Sequence, residues 1–599
     1  MKMKVQINKA LVPMKAHYFL FNAGTGPVVP YLTVYARQLG FSSVVVGLVY
    51  TILPVCGMIA KPVFGAIADR FKCQKILFLI AQLLTAAAFL ALFFSTRSPL
   101  EAQVSLNCAH NQLTIQNLDD TTVDSKLLAK IQSKQQSTTC ELTCQMTAKD
   151  LTTLCHEWKL MQYCDKSSDD LVPRLVYFSS QVPLHQTIFL RKQFNVAKNV
   201  SEGNIGFKVE SIRQNEQVLS PNCSGSTTLK STCNMGCNDT DVNALLLNAE
   251  IPDNVLYGTY QFWAFLLLMI TAWVGQAIAV SIGDTICFEM LGDKPNRYGY
   301  QRMFGALGWG ILSLLTGVLV DVISRDNATT DYSICFYLST AFLLLDFIAS
   351  TQLKYTQTKL STNIIKDIGK LLLNIRIIVF LVWCICVGMC TGLIWQFLLW
   401  LVEDLANARG ETRIKTLQGV IMGVQCLGGE LPFFFLSGKI LKKIGHINAM
   451  TLVLFGLGIR FILYSVIVNP WWFIPIEFSN GLTFGIFYAC MASYASIAAP
   501  TGTEATMQGL VGAVFEGVGV SLGSLLAGWA MSNVSGAMTF RFFGLGALAA
   551  AGIHIIVQIL LRTSGRQDAS PVVERKNSFE KVRLEDQQEL TIAEPLILR

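Results

Sequence analysis

Glu430, Arg460, Glu477 and Glu516 stand in stretches otherwise made of Leu, Phe, Val, Ile, Ala and Gly, and Asp284 and Arg302 stand at the edges of two more. A charged side chain at membrane depth costs at least a few kcal/mol, so it is kept where it meets a partner, a watered cavity or a cargo. Carboxyls beside a guanidinium suit proton exchange. Burial favours the neutral acid and a nearby cation favours the carboxylate, so rearranging one contact loads or releases a proton. On this ground Glu430, Arg460, Glu477 and Glu516 are the expected proton-coupling residues, with Glu430 the carrier and Arg460 its modulator. Asp284, Arg302, Gln396 and Asn480 offer hydrogen bonds, and Trp309 and Trp395 offer ring faces, so these six form the expected substrate site. Such a set suits a polar, neutral ring such as a sugar or nucleoside.

The elements that must position these residues are apolar blocks long enough to cross a bilayer. The chain has 599 residues, 52% hydrophobic and 15% charged, and its apolar residues cluster in runs of about 20, the helical length that spans a ~30 Å core. Twelve such runs lie near residues 12–36, 42–64, 74–95, 258–284, 302–321, 332–352, 374–402, 414–437, 448–468, 471–497, 506–531 and 537–561, and are numbered spans 1 to 12. Each is expected to be helical, because lipid offers backbone groups no partner. Counted at 1.5 Å per residue, Glu430 lies about 12 Å, Glu516 about 15 Å and Arg460 about 18 Å inside, with Glu477 shallower at about 9 Å.

The first run lacks a small-residue cleavage site and reads as a first transmembrane helix, not a signal peptide. The net charge of +7 follows topology and points to no nucleic-acid partner. Lys2, Lys4, Lys9, Arg70, Lys72, Lys75, Lys294, Arg297, Lys354, Lys439, Lys442 and Lys443 fall on one side if the spans alternate. The positive-inside rule makes that side cytosolic, with both termini on it. The acceptor triplets at Asn199, Asn222, Asn238, Asn327 and Asn533 all fall on the other side, where glycosylation takes place.

Residues 1–95 therefore read as spans 1–3, 96–257 as an exterior cysteine-rich loop, 258–352 as spans 4–6, 353–373 as a cytosolic linker, 374–561 as a second six-helix bundle and 562–599 as a cytosolic tail. The loop holds eight of the 17 cysteines: Cys108, Cys140, Cys144, Cys155, Cys164, Cys223, Cys233 and Cys237. An even number in an oxidising compartment points to disulfides, without fixing which pairs. No metal site is expected there, since no histidines complete one. No nucleophile and base pair suggests an enzyme, and no cofactor is expected.

Between spans 2 and 3 stands "GAIADRFKCQK", with Gly65, Asp69, Arg70 and Lys75; after span 8, six helices later, "SGKILKKIGH" repeats the pattern with Gly438 and Lys442. A small residue permits close helix contact, and an acid there can cap a neighbouring helix start. This motif resembles the gating loop of the major facilitator superfamily. The resemblance implies an all-α polytopic fold of two six-helix bundles around a central cavity, here with a large disulfide-containing extracellular insert between helices 3 and 4, and transport by rocking of one half on the other.

The segment "GDTICFEMLGDKPNRYGYQRMFGALGWG" also resembles the helix 4 to helix 5 region of lactose permease-type proton symporters, where an acid and an arginine 18 residues apart hold a sugar and a tryptophan stacks on it. Asp284, Arg302 and Trp309 match those positions, and Arg460 and, offset by a turn, Glu430 match further charged ones. The histidine and proton-carrying glutamate of those symporters fall on Asn480 and Thr483, a lysine falls on Glu516, and their helix 7 acids give way to Trp395 and Gln396. Lactose specificity is therefore not implied. "PMKAHYFLFNAGTGPVVPYL", "GGELPFFF" and "APTGTEATMQGLVGAVFEG" resemble the family of major facilitator superfamily domain-containing protein 6, some of whose members are implicated as cell-surface receptors. The expected function is a proton-coupled transporter of a small solute in the plasma membrane. The alternative is a receptor or adhesion protein whose insert meets an extracellular protein partner.

Overall fold

The computed structural model describes residues 11–95, 102–109, 112–117, 121–122, 125–146, 174–195, 200–214, 217–220, 229–246, 253–291, 298–325, 329–354, 374–498 and 504–563. Ten helices are long and apolar enough to cross a membrane, at Ser43–Gly65, Gln74–Phe93, Tyr260–Cys287, Tyr300–Ile323, Ser333–Thr351, Ile375–Ala408, Ile414–Ile444, His446–Val466, Gly509–Asn533 and Gly536–Thr563. Two further crossings are interrupted. Span 1 consists of Val12–Thr25 and Val29–Gln38, and span 10 of Phe473–Glu477, a π segment and Ile486–Ala498.

Three of the six C-terminal spans widen into π-helix: Val424–Glu430 in span 8, Gly481–Gly485 in span 10 and Ala513–Val520 in span 11. In span 8 the cause is local. Pro432 has no amide hydrogen, and its ring would collide with the carbonyl of Gly428, so the turn before it opens. Glycines then let the widened helices touch: a Cβ on Gly429 would sit 3.0 Å from the Gly481 backbone nitrogen.

The two bundles press together at the end that carries the insert. A Cβ on Gly47 would lie 2.7 Å from the Ser524 carbonyl oxygen, and one on Gly317 only 2.2 Å from that of Lys415, so spans 2 and 11 and spans 5 and 8 meet backbone to backbone. Ser43 donates to the Gly528 carbonyl at 3.1 Å, Thr51 to that of Ser521 at 3.2 Å, and the Trp400 indole to that of Thr33 at 3.0 Å. At the opposite end the contact is lost: around Gly65, Gly438, Gly509 and Gly512 a Cβ would find no described atom within 4 Å. Among the described residues the contacts between the halves are therefore concentrated at the insert end, and the opposite end is the more open one.

The insert departs from the all-helical expectation. It folds as an antiparallel ten-stranded sheet: β1 (Ala102–Ala109), β2 (Gln112–Asn117), β3 (Thr121–Thr122), β4 (Ser137–Met146), β5 (Arg174–Pro183), β6 (Ile188–Asn195), β7 (Val200–Lys208), β8 (Ser211–Gln214), β9 (Gln217–Leu219) and β10 (Leu229–Cys237). The order is β3-β7-β2-β1-β10-β4-β5-β8-β9, with β6 also on β7. In β4, Thr138, Cys140, Leu142, Cys144 and Met146 alternate inward. They join a second core with Val104, Leu106, Ile115, Phe207 and the helix residues Ile131 and Val242. Two disulfides, Cys140–Cys237 and Cys144–Cys233, join residues directly opposite one another on β4 and β10. The side chains of Cys108, Cys155, Cys164 and Cys223 lie outside the described residues, as do Asn199, Asn222 and Asn327. Asn238 and Asn533 are exposed.

Candidate functional site

The charged residues of the second bundle form one connected network at the π segments. Arg460, buried in span 9, forms an ion pair with Glu477, which is also buried. Its other donors reach the Tyr464 hydroxyl at 2.6 Å, Asn480 Oδ1 at 2.8 Å and Thr483 Oγ1 at 2.8 Å, and Tyr464 in turn donates to Glu477. The Asn480 amide donates to Glu430 Oε1 at 3.1 Å. Glu430 is thus joined to Arg460 through Asn480, not by a direct ion pair. Charge satisfied on every side in this way is what makes a guanidinium tolerable at this depth. Glu477 is fully buried, with Tyr464 and Arg460 reaching it from span 9.

In the first bundle Arg302 Nη1 lies 3.7 Å from Asp284 Oδ1, and both are partly exposed. Tyr18 of span 1 donates to the same carboxylate oxygen at 2.7 Å, and its ring lies under the Arg302 guanidinium at 5.6 Å. Arg302 and Arg460 both stand within electrostatic reach of Glu430. Tyr488 of span 10 stands within reach of Asp284, Arg302, Lys61 and Glu516. These residues therefore share the space between the halves. Lys61 of span 2, which sequence reasoning passed over, pairs with Glu516 of span 11 at 2.9 Å and links the two bundles. Glu516 is thus apart from the Arg460 network.

The remaining expected residues are distributed less tightly. Trp395 is exposed and lies near Phe484 and Phe515, with ring centroids 6.2 and 6.4 Å away. Gln396, next to it, is buried, and its Oε1 has no hydrogen-bond partner among the described residues. Trp309 is half-buried in span 5, and a Cβ on Gly26 would come 3.1 Å from its carbonyl oxygen, so spans 1 and 5 cross closely there. Of the gating motif, Lys75 donates to the Thr351 and Leu353 carbonyls at 2.7 and 2.9 Å, closing the end of span 6 within its own bundle. Arg70 is exposed beside Phe71, Lys442 is exposed, and the Asp69 side chain lies outside the described residues.

Sequence reasoning also missed a buried group in the first bundle. His17 Nδ1 lies 2.8 and 3.1 Å from the two carboxylate oxygens of Asp346, with side-chain exposures of 2% and 0%. The signal was present, since Asp346 breaks the run "AFLLLDFIAS" and invites the same question as Glu430.

The comparisons fit this architecture. The profile of the MFS_1 like family matches residues 11–542. Major facilitator superfamily domain-containing protein 6-like protein A of Xenopus laevis is 24% identical over 596 residues, covering 96% of this chain and 94% of the relative. The maltose permease of Geobacillus stearothermophilus is 21% identical over 320 residues, covering 52% of this chain and 75% of the permease. Among solved structures, the nucleoside transporter NupG superposes with a TM-score of 0.54 at 11% identity, covering 92% of this chain and 98% of that one. A D-xylose-proton symporter does so at 0.51 and 10%, covering 91% and 96%. With its profile matched across both bundles and its helices arranged as in those transporters, the chain belongs to the MFS_1 like family.

Proposed function

We propose that the protein is a secondary transporter that carries a small polar solute, a sugar or nucleoside, through alternating access coupled to protons. The observation that supports this most is the pair of charged clusters facing one interior space: Asp284 with Arg302 and Tyr18 from one half, Glu430 with Asn480 and Arg460 from the other. A solute held by both clusters would bind the halves together, and so would set which way they rock. Trp309, Trp395 and Gln396 complete the proposed binding set. A nucleoside transporter, a xylose-proton symporter and a maltose permease among the similar proteins support the substrate class.

Glu430 is the proposed proton carrier. It is held by one neutral amide, Asn480, and kept one residue away from Arg460, so it can change charge without breaking the Arg460–Glu477 pair. In this reading the open end is cytosolic, the termini lie in the cytosol, the insert is extracellular and glycosylated, and the membrane is the plasma membrane. The test is uptake of labelled sugars and nucleosides into proteoliposomes under an imposed pH gradient. Glu430→Gln is expected to retain exchange and to lose accumulation driven by the gradient. Unchanged proton dependence in that variant would remove Glu430 from the role.

The insert supports a second reading. A ten-stranded, doubly bridged sheet is more than a connection between two helices needs, and it fits a surface that meets an extracellular protein. Deleting residues 96–257 separates the two: transport that survives the deletion together with loss of cell-surface partner binding would assign the insert its own role.

A further inference from the structure

We propose that the buried His17–Asp346–Gln82–Ser350 cluster in the first bundle is a second proton-binding site, linked to the Asp284–Arg302 pair through Tyr18 and Gly283. The inference rests on the proton-coupled reading above, but its geometry stands apart from Glu430. His17 in span 1 and Asp346 in span 6 are 329 residues apart in sequence and meet at 2.8 Å. Gln82 of span 3 donates to Asp346 Oδ2 at 2.8 Å and to Ser350 Oγ at 2.9 Å. Two groups that exchange protons are thereby sealed among three spans with partners that both donate and accept.

Gln82 can present either a donor or an acceptor to Asp346. Its amide nitrogen faces Asp346, which suits a carboxylate, while its Oε1 is buried without a partner. Turning the amide over would place the oxygen against Asp346, which suits a carboxylic acid that donates.

The connection to the substrate site is short. Tyr18, the next residue after His17, donates to Asp284. On the other side a Cβ on Gly283 would lie 3.1 Å from His17 Nε2, so the imidazole rests against the span 4 backbone one residue before Asp284. The groups facing the cluster are few. Span 1 brings Tyr18, span 4 brings Asp284 and Cys287, span 5 brings Arg302 behind Tyr18, and Phe78 of span 3 and Phe21 of span 1 close the ring faces. Through Tyr18 and the span 4 backbone, Asp284 thus has a short path to His17.

The test needs no known cargo. Full-length protein in lipid bilayers, labelled on histidine, is titrated by solid-state NMR, and the His17 ring is assigned by its loss in His17→Gln. The wild-type ring is expected to take up and release a proton within the pH range over which the protein stays folded. Asp284→Asn removes a neighbouring negative charge and is expected to lower the proton affinity of His17 at least threefold, about half a pH unit. Arg302→Gln removes a positive charge and is expected to raise it by about as much. Asp346→Asn, should His17→Gln fail to fold, assigns the ring by a larger fall. A ring that does not titrate in this range, or that moves alike in both variants, overturns the proposal. Should the ring respond while no sugar or nucleoside is taken up, the substrate reading fails and the proton site stands.

Discussion

Arg460 illustrates how a single side chain fixes both structure and candidate chemistry in this protein. Its planar fork satisfies Tyr464, Asn480, Thr483 and Glu477 together, a set that an ammonium cannot reproduce. Arg460→Lys is therefore expected to destabilise the purified protein and lower its unfolding temperature, because at least one buried partner loses its donor. Removing one member of a buried pair costs about 3–5 kcal/mol, whereas replacing both with apolar residues costs much less. Arg460→Met with Glu477→Leu should thus unfold at a higher temperature than either single variant, a comparison that thermal denaturation makes directly. Glu430, Arg460 and Glu516 were legible because charge in an apolar run is costly wherever it occurs. Pairings were less so: Lys61 with Glu516 and His17 with Asp346 are joined by tertiary contact alone, and no local spacing announces it.

At the scale of elements, the spans could be read from hydropathy, but the π segments could not. A one-residue widening leaves no trace in periodicity, and although Pro432 is visible in span 8, no proline stands at the end of the segments in spans 10 and 11. The sheet of the insert was legible in part, since "STTCELTCQM" alternates with period two, but its register depends on pairing with a strand distant in sequence. The register makes a specific prediction about the two disulfides. Both tie β4 to β10, so either alone closes a loop of 97 or 89 residues in the unfolded chain. Losing one bridge should cost about 2–3 kcal/mol, since with the other in place it closes only a short loop, and losing both about 7 kcal/mol. Limited proteolysis of the full chain is expected to cut the insert readily only when Cys140 and Cys144 are both replaced by Ser. The insert should also loosen in acid. Burial of Asp241 pushes its carboxyl up, but Lys134 and Lys130 outweigh this and hold it below its ordinary value. That contribution is complete above about pH 4 and fades as pH falls below it, so protease sensitivity of the insert should rise in that window.

For the whole molecule, the conformation is set by the balance between the closed insert end and the open end opposite. The closed end is a latch of polar contacts between the halves. Arg37 of span 1 pairs with Asp404 of span 7 at 2.7 Å and lies over Trp400 at 4.8 Å. Asp321 of span 5 accepts the Lys415 and Thr416 backbone amides at 3.1 and 2.6 Å, capping the start of span 8, while the Lys415 side chain turns back to Glu403 at 2.7 Å. An acid that caps a helix is worth about 0.5–2 kcal/mol, and here the helix belongs to the other bundle, so that energy exists only in the closed arrangement. Asp321→Ala therefore removes it from one conformation alone and should raise the ratio of molecules open at the insert end to those closed by roughly two- to thirtyfold, since 1.4 kcal/mol is a factor of ten in an equilibrium. Gly317→Leu should act in the same direction and more strongly, because its Cβ would fall within the Lys415 carbonyl and block closure outright. Spin labels on the insert ends of spans 1 and 7, read by pulsed EPR distances, are expected to separate in both variants. Distances unchanged in Gly317→Leu would mean that the two halves do not part at this seam, and that the state seen here is not one of two alternating ones.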